Sequence, residues 1–128
     1  MMIQLDFEAE MPIYQQLVNQ IKEGLATGQL QPGEALPSVR VLAADIGINM
    51  HTVNKAYKIL KEEGFLQIHR QKGVVVSPQL PKVDQAFLER TQETLKTLIV
   101  EAATRGMEEQ AFYDECKHVF EWIQSVKR

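Results

Sequence analysis

VRVLAADIGINMHTVNKA, residues 39–56, is the stretch whose reading decides the fold. Two short helical patterns flank one glycine, with apolar residues where two helices crossing at a tight turn need them. Counting Val39 as the first place, Leu42 and Ala43 are fourth and fifth, Ile46 eighth, Gly47 ninth, Ile48 tenth and Val53 fifteenth. Ala43 must be small because the helices approach closely there, and Gly47 permits the positive φ of the turn. Leu42, Ile46, Ile48 and Val53 supply the small core that sets the interhelical angle. The spacing predicts a helix-turn-helix. Ser38 is the N-cap of its first helix, and Val53, Ala56, Tyr57 and Leu60 are the buried face of its second.

Working outward, Met11-Pro12 opens an earlier helix with Ile13, Leu17, Ile21 and Leu25 on one face, closed by Gly28 and the Gln31-Pro32-Gly33 turn. Ahead of it, Ile3, Leu5 and Phe7 alternate with Gln4 and Asp6, which predicts one short strand. Leu36 is held extended by Pro37. After the second helix, Gly64 is placed as its stop. Phe65–His69 and Val74–Ser77 then read as a β-hairpin with its tip at Gln71–Gly73. Pro78 and Pro81 bracket a linker. Beyond them lie two longer helical patterns, from Lys82 to Arg105 and from Glu108 to Lys127, broken at Gly106. The expected architecture is mainly α with a small β-wing. Residues 1–78 form a winged helix-turn-helix domain, and residues 79–128 a two-helix dimerisation hairpin.

The composition fits one small domain plus an appendage: 128 residues, 45% hydrophobic, which is too short for a large cofactor enzyme. No window approaches 18 consecutive apolar residues, so no membrane span is expected. MMIQLDFEAEMP has neither a basic flank nor an apolar run, so no secretory signal is expected either. A single cysteine suits a reducing cytoplasm. The net charge of −3 hides a segregation. Residues 1–37 carry one Lys against five acids, residues 38–76 six Lys/Arg against three, and residues 77–128 seven against nine. The basic middle coincides with the helix pair and the hairpin, where screening confines its field to about 10 Å.

If Val53, Ala56, Tyr57 and Leu60 face inward, Met50, His51, Asn54, Lys55, Lys58 and Lys61 face outward or to the flanks. A recognition helix reads the major groove mainly with its N-terminal residues. There Asn49 through Asn54 supply amide, imidazole and hydroxyl groups. An amide pairs with adenine N6/N7, and Thr52 can touch a thymine methyl. Lys55 and Lys58 are placed for phosphates, which position without specifying sequence. Arg40, early in the preceding helix, suits a phosphate or a guanine edge. The tip Arg70-Gln71-Lys72-Gly73 combines charge with a glycine that lets the backbone approach a minor groove.

These residues resemble the N-terminal domain of the GntR family of bacterial transcription regulators. The resemblance rests on Tyr14, the Gly28…Pro32-Gly33 turn, Leu36-Pro37-Ser38-x-Arg40, Leu42-Ala43, Thr52-Val53, Ala56 and Glu63-Gly64. The Asn49-x-x-Thr52-Val53-x-Lys55-Ala56-Tyr57 version and the short tail are most similar to the YtrA-type subfamily. The resemblance implies a DNA-binding regulator; the sequence offers no convergent His spacing for a metal, and neither an enzyme nor a cofactor is expected. The resemblance carries over Arg40, Asn49, His51, Thr52, Asn54, Lys72 and Gly73 as DNA contacts, and the cap, the open helix face and the wing add Ser38, Met50, Lys55, Lys58, Arg70 and Gln71. It further implies a repressor acting on double-stranded operator DNA, with an operon for an ABC-type transporter as target. Many family members carry Arg where Met50 and Asn54 stand and Gly where Gln71 stands. The operator sequence is therefore not carried over.

About 50 residues follow the wing, too few to close a ligand cavity within one chain, and no effector is assigned. Phe87, Leu88, Leu95, Leu98, Ile99 and Ala102 form one apolar stripe. Phe112, Val119 and Ile123 form another, with Cys116 among them and Phe120 nearby. Pairing such stripes across a two-fold axis would bury them and hold two reading heads at fixed spacing, so a homodimer is expected. Cys116 reads as a small core residue, with a thiol switch as the alternative. His118, at i+2 on a helix, faces another direction and cannot be its base, which sets aside a hydrolase or redox enzyme. Trp122 reads as interface packing or the wall of a ligand groove. His51 and His69 divide between DNA contact and plain surface imidazole, and the acids at 108, 109, 114 and 115 read as a solvated helix face. The rival to the DNA reading is a winged helix used as a protein–protein interaction module.

Overall fold

The computed structural model describes residues 2–127, in two compact units divided between Pro81 and Lys82. In the first, α1 (Ile13–Ala26), α2 (Val39–Ile46) and α3 (Met50–Glu62) pack beside a three-stranded antiparallel sheet. Its strands are β1 (Ala35–Leu36), β2 (Leu66–His69) and β3 (Gly73–Val76), in the order β1-β3-β2. The core is one cluster: Leu17, Val18 and Ile21 of α1, Leu42 and Ala43 of α2, Val53, Ala56, Tyr57 and Leu60 of α3, and Leu66, Val74 and Val76 of the sheet. The inward face expected of α3 is therefore the inward face found. Burying each large side chain there contributes on the order of 2 kcal/mol.

The ends of these helices are where their residues put them. Ser38 Oγ accepts a hydrogen bond from Val41 N at 3.2 Å, capping α2. Gly47 sits at φ 71° and donates to the Ala43 carbonyl, a left-handed C-cap that lets the chain turn within three residues into α3. β2 and β3 pair from Leu66↔Val76 to His69↔Gly73, so Arg70, Gln71 and Lys72 make the tip and Gly73, at φ 75°, opens β3.

Three readings change. Residues 3–7 do not pair as a strand. They run along α1, whose amide side chains take the place of a neighbouring strand. Gln4 N donates to Gln20 Oε1 at 2.8 Å, and Asp6 N donates to Gln16 Oε1 at 2.8 Å. The buried Gln16 also donates to the Asp6 and Met11 carbonyls, both at 2.9 Å. Ile3 and Leu5 are half-buried on the helix side, whereas Phe7, the third of the alternating residues, is exposed in a turn. Conversely, Ala35 and Leu36 are a strand, pairing with Val75 and Val74. The first unit also runs past residue 78 to Pro81, because Leu80 packs on the core and Pro81 Cγ lies close to Gly64.

The second unit, Lys82–Val126, holds α4 (Gln85–Thr104) and α5 (Glu109–Val126). Asp84 caps α4 by accepting from Phe87 N at 2.8 Å, and Gly106, at φ 84°, stands between the two helices. At 1.5 Å per residue α4 is about 30 Å long. Neither helix buries a residue. Phe87, Leu88, Leu95, Leu98, Ile99, Val119 and Phe120 are exposed, as is Trp122, while Ala102, Phe112, Cys116 and Ile123 are half-buried. Among the described residues no helix is long and apolar enough to cross a membrane.

Candidate nucleic-acid interface

With Val53, Ala56, Tyr57 and Leu60 buried, α3 presents Met50, His51, Asn54, Lys55, Lys58 and Lys61 on its open side, all exposed. Arg40 is exposed in the first turn of α2, and Arg70, Gln71, Lys72 and Gly73 are exposed at the wing tip. Thr52 is half-buried. The starts of α2 and α3 meet in a shallow groove lined by Val39, Asn49, Met50, His51 and Asn54. Of the residues singled out in the sequence, this brings four together. Val39, named in the sequence only as the first place of the helix pair, adds an apolar member to that lining.

Local chemistry divides these groups. Asn49 Oδ1 accepts from His51 N at 2.7 Å, capping α3. Half of its amide is thus occupied by its own helix. Lys55 Nζ lies 4.0 Å from the centroid of the Tyr14 ring, a cation–π contact that draws it towards α1. No local pattern announces that contact, since the two residues stand 41 positions apart. Asn54, His51 and Lys58 make no side-chain hydrogen bond or ion pair among the described residues. His69, on β2, is exposed and shares a hydrogen bond with Gln67 Oε1 at 3.0 Å.

The frame behind the open side is tied by Tyr57. Its ring is 1% exposed, and its hydroxyl donates to the Pro37 carbonyl at 2.8 Å. That bond fixes α3 to the residues leading into Ser38 and Arg40. Burial pushes the phenol from its ordinary 10.0 up to about 12. Below pH 10 the phenol is neutral in both folded and unfolded chains. Between pH 10 and about 12 only the unfolded chain releases the proton, so stability falls as pH rises through that window. Tyr57→Phe is expected to cost about 1 kcal/mol at neutral pH, from the lost hydrogen bond. It also removes this alkaline loss. Urea unfolding at pH 8 and at pH 11.5 checks this: the gap between wild type and variant should shrink or invert at the higher pH.

The C-terminal candidates belong to the other compact unit. Phe87, Leu88, Leu95, Leu98, Ile99 and Ala102 lie on α4, and Phe112, Val119, Phe120 and Ile123 on α5. They leave two amphipathic helices with open apolar faces.

Comparison with known proteins agrees with this arrangement. Residues 13–76 match the family described as bacterial regulatory proteins, gntR family. The HTH-type transcriptional repressor YtrA of Bacillus subtilis (strain 168) is 36% identical over 126 residues, spanning 98% of this chain and 92% of that one. A transcriptional antiterminator from Listeria monocytogenes EGD-e has a crystal structure similar at a TM-score of 0.86 with 31% identity, covering 98% of this chain and 92% of that one. YtrA from Sulfolobus acidocaldarius, a GntR-family transcription factor, is 39% identical at a TM-score of 0.62, covering 80% and 97%. A family match over half the chain and a relative aligned along nearly all of it lead to one conclusion: the chain belongs to the GntR family of bacterial regulatory proteins.

Proposed function

We propose that this regulator is a repressor that binds an inverted-repeat operator as a homodimer. One observation carries the reading. A helix-turn-helix buries Val53, Ala56, Tyr57 and Leu60 and leaves Arg40, His51, Asn54 and Lys58 open beside a basic wing tip. The repressor naming of the Bacillus relative supports the sense of the control. The open stripes of α4 and α5 support pairing, since a soluble monomer rarely leaves so long an apolar face uncovered. In a dimer, two copies of α3 would enter major grooves about 10 bp apart or a multiple of that. Ser38, Asn49, Thr52, Lys55, Arg70, Gln71, Lys72 and Gly73 complete the proposed contact set, and the site of action is the cytoplasm, where the operator is.

Selection from a random DNA library at two salt concentrations tests this. A two-fold-symmetric enriched motif is the expected result. A lone half-site would overturn the dimer. No salt-dependent DNA retention would move the domain to the protein-interaction reading, which the net charge of −3 favours. An operon for an ABC-type transporter beside the genomic copy of the motif would support the target that the resemblance implies.

Two substitutions then separate base reading from phosphate contact on the selected operator. Arg40→Ala is expected to weaken operator binding by about 1–3 kcal/mol, with less effect on unrelated DNA. Lys58→Ala is expected to weaken both alike and to flatten the salt slope by about one unit. Titrations by fluorescence anisotropy read both effects.

A further inference from the structure

The groove between α2 and α3 is chemically unlike the rest of the proposed interface. Beside the polar Asn49, His51 and Asn54, its lining includes two aliphatic side chains, Val39 and the 45% exposed Met50. Met50 leaves nearly half of its surface open to solvent on the first turn of an otherwise polar helix face. Arg40 follows Val39 directly in the chain and is exposed, so the two aliphatic side chains are set among polar and basic ones. The edge of a DNA base pair carries one apolar group in the major groove, the thymine 5-methyl. The guanine edge offers two acceptors there, which are matched by N–H donors such as Arg40 or His51 and not by the side chains of Val39 and Met50.

Resting on the DNA-binding reading above, we infer that Met50 and Val39 form a receptor for a thymine methyl, making the operator half-site A·T-specific under the start of α3. Asn54 extends the same choice. It lies one turn beyond Met50 on the same face, roughly 6 Å along the axis, and its exposed amide keeps both the acceptor and the donor that adenine N7 and N6 require. Asn49 does not compete for that role, because its Oδ1 is held by His51 N. The flexible thioether of Met50 shapes itself to the methyl without demanding a fixed angle.

Replacing thymine by deoxyuridine, which lacks only the methyl, tests this directly. Each thymine of the selected half-site is replaced in turn, and binding is measured with the wild-type protein and with Met50→Ala. One thymine is expected to be sensitive, with wild-type affinity falling roughly three- to fivefold, the loss that follows from exposing one methyl group. Met50→Ala should bind the thymine and deoxyuridine operators equally. Met50 is exposed, so the variant retains its fold, and circular dichroism verifies this. A motif in which no thymine is sensitive, or in which Met50→Ala keeps the full sensitivity, overturns the methyl receptor while leaving DNA binding intact. Absence of any enriched motif removes the DNA-binding reading itself and this inference with it.

Discussion

Leu98→Glu is expected to halve the apparent mass of the protein in solution and to weaken operator binding at least about 100-fold. Leu98 is 52% exposed in the middle of α4, between Leu95 and Ala102 and next to Ile99. In a dimer paired along this stripe, a carboxylate at that place would lie buried without a partner, which is a large penalty. In the single chain the half-open place of Leu98 lets the carboxylate reach water. Loss of pairing removes the second half-site contact, and a tethered second contact strengthens binding by two to four orders of magnitude. Analytical ultracentrifugation reads the mass and anisotropy the affinity. Because residues 2–81 form a compact unit apart from α4, each monomer should keep its half-site preference. A variant that stays dimeric would place the pairing surface elsewhere.

Leu60→Ala is expected to destabilise the reading unit by about 2–5 kcal/mol. Leu60 is fully buried in the cluster where α1, α3 and β2 meet. Small domains have total stabilities of roughly 5–15 kcal/mol, so the loss is a large share of the whole. At roughly 4–8 °C per kcal/mol for a unit of this size, the melting temperature should fall by about 8 °C or more. Operator binding should persist in the cold and vanish on warming. Calorimetry beside binding at two temperatures separates this from a lost contact, which would weaken binding at both. A melting temperature within a few degrees of wild type would mean that the cluster tolerates the cavity.

What could be read in the sequence was what depends on near neighbours. Ser38, Gly47 and Gly64 mark helix ends through their own backbone and side-chain chemistry. Val53, Ala56, Tyr57 and Leu60 mark a buried face through spacing alone. What could not be read depends on distant partners. Nothing near Ala35 says that it will lie beside Val75, and nothing near Ile3 says that α1 rather than a strand will receive it. Of the interface, the exposed set on α3 was legible because it is what remains once the buried face is known. The occupied acceptor of Asn49 and the place of Lys55 over Tyr14 were not, since both concern which of several geometrically possible partners a side chain takes.

The short strand β1 reaches further than its two residues suggest. It joins the wing, through β3, to the chain that enters α2, and the Pro37 carbonyl just beyond it is held by α3. The wing and the reading helix are therefore braced against each other before any DNA arrives. Recognition by such a surface loses little conformational entropy in the protein, which leaves more of the contact energy as affinity. The rate of association is then set by diffusion and orientation rather than by a folding step.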